Sequence, residues 1–256
     1  MLGSRSSQRS GIARARYEPA DSDTDSHSHA NAGSARSNVA DFALNVAPAF
    51  DQRFRETFLE LLRWRRDVRH FRSDPVPHEI VEELVESASL APSVGYSQPW
   101  RFVSVDDTER RAAIVANFER CNAHALGTYE DKRRAAYARL KLAGLREAPV
   151  HLAVFSDEAG EAGSGLGRAT MPRTLEYSVV GAICTLWLLA RARGIGVGWV
   201  SILDPEAAAR SLDVPPDWKL IAYLCIGYPQ DEDITPELAR VKWQAPIDEA
   251  RSVYRR

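Results

Sequence analysis

About fourteen residues from Val179 to Ala192 carry so many apolar side chains that a helix built from them has no broad polar face. A membrane-spanning helix needs about 20 such residues, and this stretch closes on Arg191 and Arg193. The helix through Val180, Ile183, Leu186, Trp187 and Ala190 is therefore expected inside a folded core, and the rest of the chain has to supply its walls. Short β-branched and aromatic runs supply them: Trp100 to Val105, Pro149 to Phe155, Val197 to Ile202 and Leu220 to Ile226 each read as a strand. Helical signals lie between. Phe54, Phe58, Leu61 and Leu62 mark an amphipathic helix just before Arg65, and Ile80, Val81, Leu84, Val85 and Ala88 mark a second that stops near Pro92. Two polar helices are expected from Thr108 to Asn122 and from Thr128 to Arg146, and a short one from Pro205 to Leu212. Strands separated by more numerous helices predict an α+β or α/β domain whose one central sheet is covered on both faces.

A chain of 256 residues with 45% hydrophobic composition suffices for one substantial core. One domain over 46–256 is expected, preceded by a Ser/Arg-rich tail over 1–45. The first forty residues hold nine serines and five arginines but few large apolar side chains. Such a composition cannot offset the entropy of ordering, so the tail is predicted to be disordered. It has no continuous apolar stretch of a secretory signal, and its four acidic residues argue against a transit peptide. His27 and His29 read as part of that solvated tail and not as metal ligands. From about Pro229 to Arg256 apolar periodicity is weak, which predicts an extended arm laid over a partner subunit. With 33 basic against 35 acidic residues the net charge of -2 offers no global field to recruit nucleic acid or an anionic membrane. Cys121, Cys184 and Cys225 are odd in number and lack zinc spacing, as expected of reduced thiols in a cytoplasmic protein without a metal.

Local clusters are where the chemistry has to sit. Arg65, Arg66 and Arg69 enclose Asp67 and Val68 in RRDVR, and three guanidinium groups so close can make a phosphate-sized anion site. A solvated charged face is the plainer reading of that cluster alone. The loop Ala91-Pro92-Ser93-Val94-Gly95-Tyr96-Ser97-Gln98-Pro99-Trp100 can present hydroxyl, amide and backbone donors to a planar ligand, or simply connect a helix to a strand. The glycines of Gly194-Ile195-Gly196-Val197-Gly198-Trp199-Val200-Ser201 lie between a helix and a strand, the reverse of a dinucleotide fingerprint. Close helix–strand packing accounts for them. A glycine-rich loop from Glu158 to Arg168 has the freedom to be a mobile lid.

Taken in this order and at these intervals, RRDVR, APSVGYSQPW and GVGWVSIL resemble the FMN-binding nitroreductase family, from about Leu61 to Gly227. Ordinary members carry serine where Asp67 stands and asparagine in the loop before QPW. The aspartate and the altered loop instead resemble a branch that consumes its flavin. The resemblance implies a nitroreductase-like sandwich with a central mixed sheet flanked by helices, in a homodimer that exchanges terminal arms and binds FMN at its interface. It implies oxygen-dependent fragmentation of reduced FMN to 5,6-dimethylbenzimidazole for the lower ligand of vitamin B12, with dioxygen as co-substrate, no metal, and a separate flavin reductase supplying the reduced flavin. Carried over residue by residue, Arg65, Arg66, Asp67, Val68 and Arg69 contact FMN, as do Ser93, Leu142 on the helix before Pro149, and Ser201. Asp67 is the expected proton-transferring carboxylate and Ser201 a hydroxyl tuning oxygen chemistry beside the ring. An ordinary NAD(P)H-dependent nitroreductase or flavin reductase, in which flavin turns over, is the nearest alternative; a non-catalytic flavin-binding protein is the alternative of another class.

Overall fold

The computed structural model describes residues 47–255, so the expected tail over 1–45 lies outside the described residues. Its elements follow as α1 (Gln52–Trp64), α2 (His78–Ala88), β1 (Trp100–Ser104), α3 (Thr108–Gly127), α4 (Asp131–Tyr137), β2 (Val150–Asp157), α5 (Thr174–Ala192), β3 (Gly196–Val200), α6 (Pro205–Leu212), β4 (Trp218–Gly227) and α7 (Glu237–Arg240). The strands form one sheet in the order β1-β2-β4-β3, and every strand pair is antiparallel. Its mixed character is confined to one parallel bridge, Asp67 to Val197.

The strands alternate inward-facing residues to both sides, as a sheet covered on two faces requires. Leu152 and Val154 of β2, with Ala222, Leu224 and Ile226 of β4, pack with Leu84 and Ala88 of α2 and with α5. Ala153, Phe155, Tyr223 and Cys225 point to the other layer, where Ile114 of α3 and Ala208 and Leu212 of α6 meet them. α5 is apolar and, at 19 residues, long enough to cross a membrane. Eight of those residues are buried, which makes it the core helix that the sequence predicts. In the second layer His151 is 1% exposed and its Nδ1 lies 2.9 Å from the Tyr223 hydroxyl. Burial, helped by the nearby Arg111 charge, pushes His151 down to about 4, so it is neutral near pH 7.

Three expectations are corrected. The polar helices divide differently: α3 runs on to Gly127 and α4 stops at Tyr137, so Leu142 sits in an irregular segment and not on a helix. There Gly144 lies against the Phe71 ring, leaving no room for a Cβ. The Lys141 carbonyl, which a helix would use internally, accepts from Arg69 Nη1 at 3.0 Å. β3 ends at Val200, two residues early, because the following turn is pulled onto α3. Buried Asn117 donates from Nδ2 to the Asp204 carbonyl at 2.9 Å and accepts the Asp204 N–H at 3.0 Å, while Asp204 caps α6. Finally, the C-terminal arm is not extended throughout: it holds the helical turn α7 and packs on its own chain at Trp243, whose ring lies 5.7 Å from that of Tyr129 and 6.0 Å from that of Tyr137. Beyond it Ile247, Val253 and Tyr254 are exposed.

Candidate functional site

At Arg65 the chain leaves α1 with an extended backbone, and the RRDVR segment then runs along β3. β3 is an edge strand, with backbone groups that need partners. Val68 donates its N–H to the Val197 carbonyl at 3.0 Å, and Trp199 donates its N–H to Asp67 Oδ1 at 2.9 Å. A carboxylate thus takes an edge donor that another strand would otherwise take. Gly196 and Gly198 make the approach possible. A Cβ on Gly198 would land on the Val68 carbonyl oxygen, and one on Gly196 would lie 2.9 Å from Val68 Cγ2. These two glycines therefore admit the RRDVR backbone and do not serve helix–strand packing.

The other oxygen of Asp67, Oδ2, accepts from Arg69 Nε at 2.7 Å in a pair whose side chains are 15% (Arg69) and 30% (Asp67) exposed. Arg66 Nε donates to the Ile234 carbonyl on the arm at 2.8 Å. Burial and the adjacent Arg65 charge lower the Arg66 pKa, and Asp233 opposes them. The Arg65 guanidinium carbon stands 4.9 Å above the Trp187 ring, and Trp187 Nε1 donates to the Arg66 carbonyl at 3.2 Å. The three guanidinium groups therefore hold three different partners and do not converge on one point as the spacing suggests. Arg66, Asp67, Val68 and Arg69 line a cleft of about 110 Å³ shared with Thr235 and Arg240 of the arm. Arg240, 3.0 Å from Asp233, is a cation that sequence reasoning missed, because only its place in an aperiodic arm was visible.

The second motif lies elsewhere on the same core helix. Val94 donates its N–H to Ser178 Oγ at 3.0 Å, near the start of α5, whereas Arg65 stacks on Trp187. Nine helical steps separate those anchors, roughly 14 Å along the axis at 1.5 Å per residue. Ser93 Oγ accepts the Gln98 N–H at 3.1 Å, closing the loop. Gly95, Tyr96 and Gln98 all have left-handed backbones, with φ of 57°, 55° and 45°, and two of them carry the side-chain strain of that region. The glycine-rich loop docks here: a Cβ on Gly163 would lie 2.9 Å from the Gly95 carbonyl oxygen. Arg168 ties that loop together through the Gly160 and Glu158 carbonyls. Ser97 Oγ is buried with no hydrogen-bond partner among the described residues. Tyr96, Leu166, Met171 and Tyr177 are all more than half exposed on these loops and on the first turn of α5.

Ser201 is exposed immediately beyond β3, two residues past the Trp199 N–H held by Asp67. At about 3.3 Å per extended residue that places its backbone roughly 7 Å along the strand from that contact. Asn117, whose role no sequence pattern announced, holds the turn on which Ser201 stands. Leu142 lines a separate small cavity with Val115, Phe118 and Leu145, one residue after the carbonyl that Arg69 holds. The described residues contain no group of three His, Cys, Asp or Glu placed to hold a metal.

Comparison with known proteins adds identity to this geometry. The Nitroreductase family model matches residues 62–228. The chain is 59% identical over 202 residues to a 5,6-dimethylbenzimidazole synthase of Rhodospirillum rubrum, covering 79% of this chain and 96% of that one. A 5,6-dimethylbenzimidazole synthase of Rhodobacter capsulatus is 50% identical over 195 residues, 76% of this chain and 94% of the other. Among solved structures, oxidised iodotyrosine deiodinase bound to FMN and 3-iodo-L-tyrosine has a TM-score of 0.62 at 24% identity, over 78% of this chain and 99% of that one.

Proposed function

This chain belongs to the nitroreductase family, and we propose that it catalyses the oxygen-dependent fragmentation of reduced FMN to 5,6-dimethylbenzimidazole. The observation that carries the reading is the placement of Asp67. Its two oxygens are held by different donors, Trp199 N–H and Arg69 Nε, at the strand end where Ser201 emerges. A carboxylate so oriented still has a free lone pair on each oxygen to take a proton.

The residues fit a flavin mononucleotide. Arg66, Arg69 and Arg240 line one cleft and supply charge for its phosphate. Ser93 and its strained loop offer contacts to the ring, and Leu142 an apolar one. The two motifs are anchored roughly 14 Å apart along α5, and in this reading one subunit contributes the arginine end of a site and its partner the Ser93 end. The exposed stripe of Tyr177, Val180 and Cys184 on α5 provides the surface for that homodimer. Bound reduced FMN supplies the electrons for dioxygen, so no metal is needed, and a separate flavin reductase supplies the reduced flavin. Asp67 then removes a proton from the ribityl or ring portion, and the Ser201 hydroxyl donates a hydrogen bond to oxygen beside the ring.

The test is anaerobic loading of the protein with reduced FMN, admission of oxygen, and mass analysis. Dimethylbenzimidazole in amounts approaching the flavin lost is the expected result. Steady NAD(P)H oxidation with flavin recovered intact would instead make the chain an ordinary flavin-recycling nitroreductase.

A further inference from the structure

Two arginines of the RRDVR segment hold two different pieces of chain, and a third contact remote from both joins those pieces. Arg66 donates to the Ile234 carbonyl of the arm, and Arg69 donates from Nη1 to the Lys141 carbonyl just beyond α4. Arm and α4 meet at Trp243. The rings of Tyr129 and Tyr137 stand 4.8 Å apart, and Trp243 packs edge-on against both. The Arg133 guanidinium carbon lies 3.7 Å from the Trp243 ring centroid, with Nη1 3.3 Å from the Trp243 carbonyl. The Tyr137 hydroxyl donates to Asn122 Oδ1 of α3 at 2.8 Å.

α4 is a short helix without a side-chain N-cap, and an isolated helix of seven residues has little stability of its own. An aromatic triad with a stacked guanidinium is the kind of contact that can hold it. We propose that Trp243 is a positioning residue: seated among Tyr129, Tyr137 and Arg133, it fixes segment 129–142, and through it Leu142 and the Lys141 carbonyl that holds Arg69, a residue that lines one cleft with Arg66 and Arg240. The arm is thereby a strap whose buckle touches none of the residues assigned to the flavin. This inference rests on the functional reading above for what the strap encloses, but not for the strap itself.

The experiment compares wild type, Trp243→Ala and Trp243→Phe as full-length protein. Hydrogen exchange followed by peptide mass analysis should show residues 129–142 of Trp243→Ala exchanging at least tenfold faster, with β2 and α5 unchanged; Phe should restore most of the protection. With reduced FMN and oxygen, the Ala variant should oxidise flavin at a near-normal rate yet return several-fold more of it as intact FMN and hydrogen peroxide, because a loosened segment releases flavin before it is fragmented. Unchanged exchange in 129–142, or faster exchange spread equally over β2 and α5, overturns the proposal. So does a local increase in exchange that leaves the yield per flavin oxidised at the wild-type value, which would make the triad structural only. If wild type itself forms no dimethylbenzimidazole, the functional reading fails separately. The strap is then judged by the dissociation rate of bound FMN, expected about tenfold faster in Trp243→Ala, and an equal rate refutes it.

Discussion

The two motifs that mark this chain are built in opposite ways. Along the β3 edge, RRDVR is wired into its own subunit: each oxygen of Asp67 accepts a named donor, Val68 joins β3, and each of the three arginines has a partner. Around Ser93 the loop is left-handed at Tyr96 and Gln98, leaves Tyr96 79% exposed, and buries Ser97 Oγ without a hydrogen-bond partner among the described residues. A wired segment keeps its geometry in a lone chain, whereas strained and uncovered structure persists where something else completes it. The first end can thus pre-position charge before any ligand arrives, and the second is the end that the proposed flavin and second subunit would complete.

The largest expected effect lies at the wired end. Asp67→Asn can keep only one of its two bonds, since its amide nitrogen would face a second donor at either Trp199 N–H or Arg69. Loss of the base is expected to lower dimethylbenzimidazole formation about 100-fold or more, with reduced FMN still oxidised and recovered as FMN with hydrogen peroxide. Stopped-flow absorbance beside product quantification separates the two steps. Wild-type yield would remove Asp67 from the chemistry, and a parallel loss of FMN binding would leave it the role of aligning Arg69.

Next in size is the contrast between phosphate and ring. Removing a charge-assisted phosphate contact costs about 1.5–3 kcal/mol, so Arg66→Ala or Arg240→Ala should weaken FMN binding about tenfold or more. Riboflavin, which lacks the phosphate, should bind those variants as it binds wild type. Ser93→Ala should weaken both flavins alike. Titration of the two flavins decides: equal losses for both in Arg66→Ala would assign the cluster to structure. Arg65, stacked on Trp187, should give a smaller loss than Arg66.

How much of this was legible follows from what each signal depends on. The strands, α2, α5 and α6 were readable because period-2 and period-3.6 patterns report which faces are buried. α4 was overextended because the polar run continues past Tyr137, while the contacts that end it, Gly144 on Phe71 and Lys141 with Arg69, lie about 70 residues apart in sequence. The glycines at 196 and 198 were visible but misassigned, since nothing local says that Val68 lies over them. Asn117, Arg240 and Trp243 carried no pattern at all, as their partners come from distant segments.

Those glycines give a stability version of the comparison. Gly198→Ala drives a methyl into the Val68 carbonyl, which neither backbone can yield cheaply, and should cost about 3 kcal/mol. Gly165, at φ 74° in the loop docked on the other motif, has nothing within 4 Å of a Cβ, so Gly165→Ala should cost only about 1 kcal/mol from the left-handed backbone. Urea unfolding of both variants measures the difference. Equal losses would mean that the RRDVR backbone can shift away from β3, and the pre-positioned end would then be softer than its hydrogen bonds suggest.

The smallest effect tests the uncovered end and has opposite signs in two measurements. Tyr96 pays about 1–2 kcal/mol for its left-handed backbone, and glycine at that position removes this strain while adding about 0.5–1 kcal/mol of chain entropy to be lost on folding. Tyr96→Gly should therefore stabilise an isolated subunit by at most about 1.5 kcal/mol, seen as a small rise in the thermal midpoint at concentrations where the protein is monomeric. A ring held 79% exposed at such a cost has a use only if something covers it. If a second subunit does, the same substitution weakens self-association several-fold in sedimentation experiments, since an exposed aromatic contributes substantially once buried. Higher stability together with unchanged association would show that Tyr96 meets no partner, and the dimer would then have to close through the Val180 and Cys184 stripe of α5 alone.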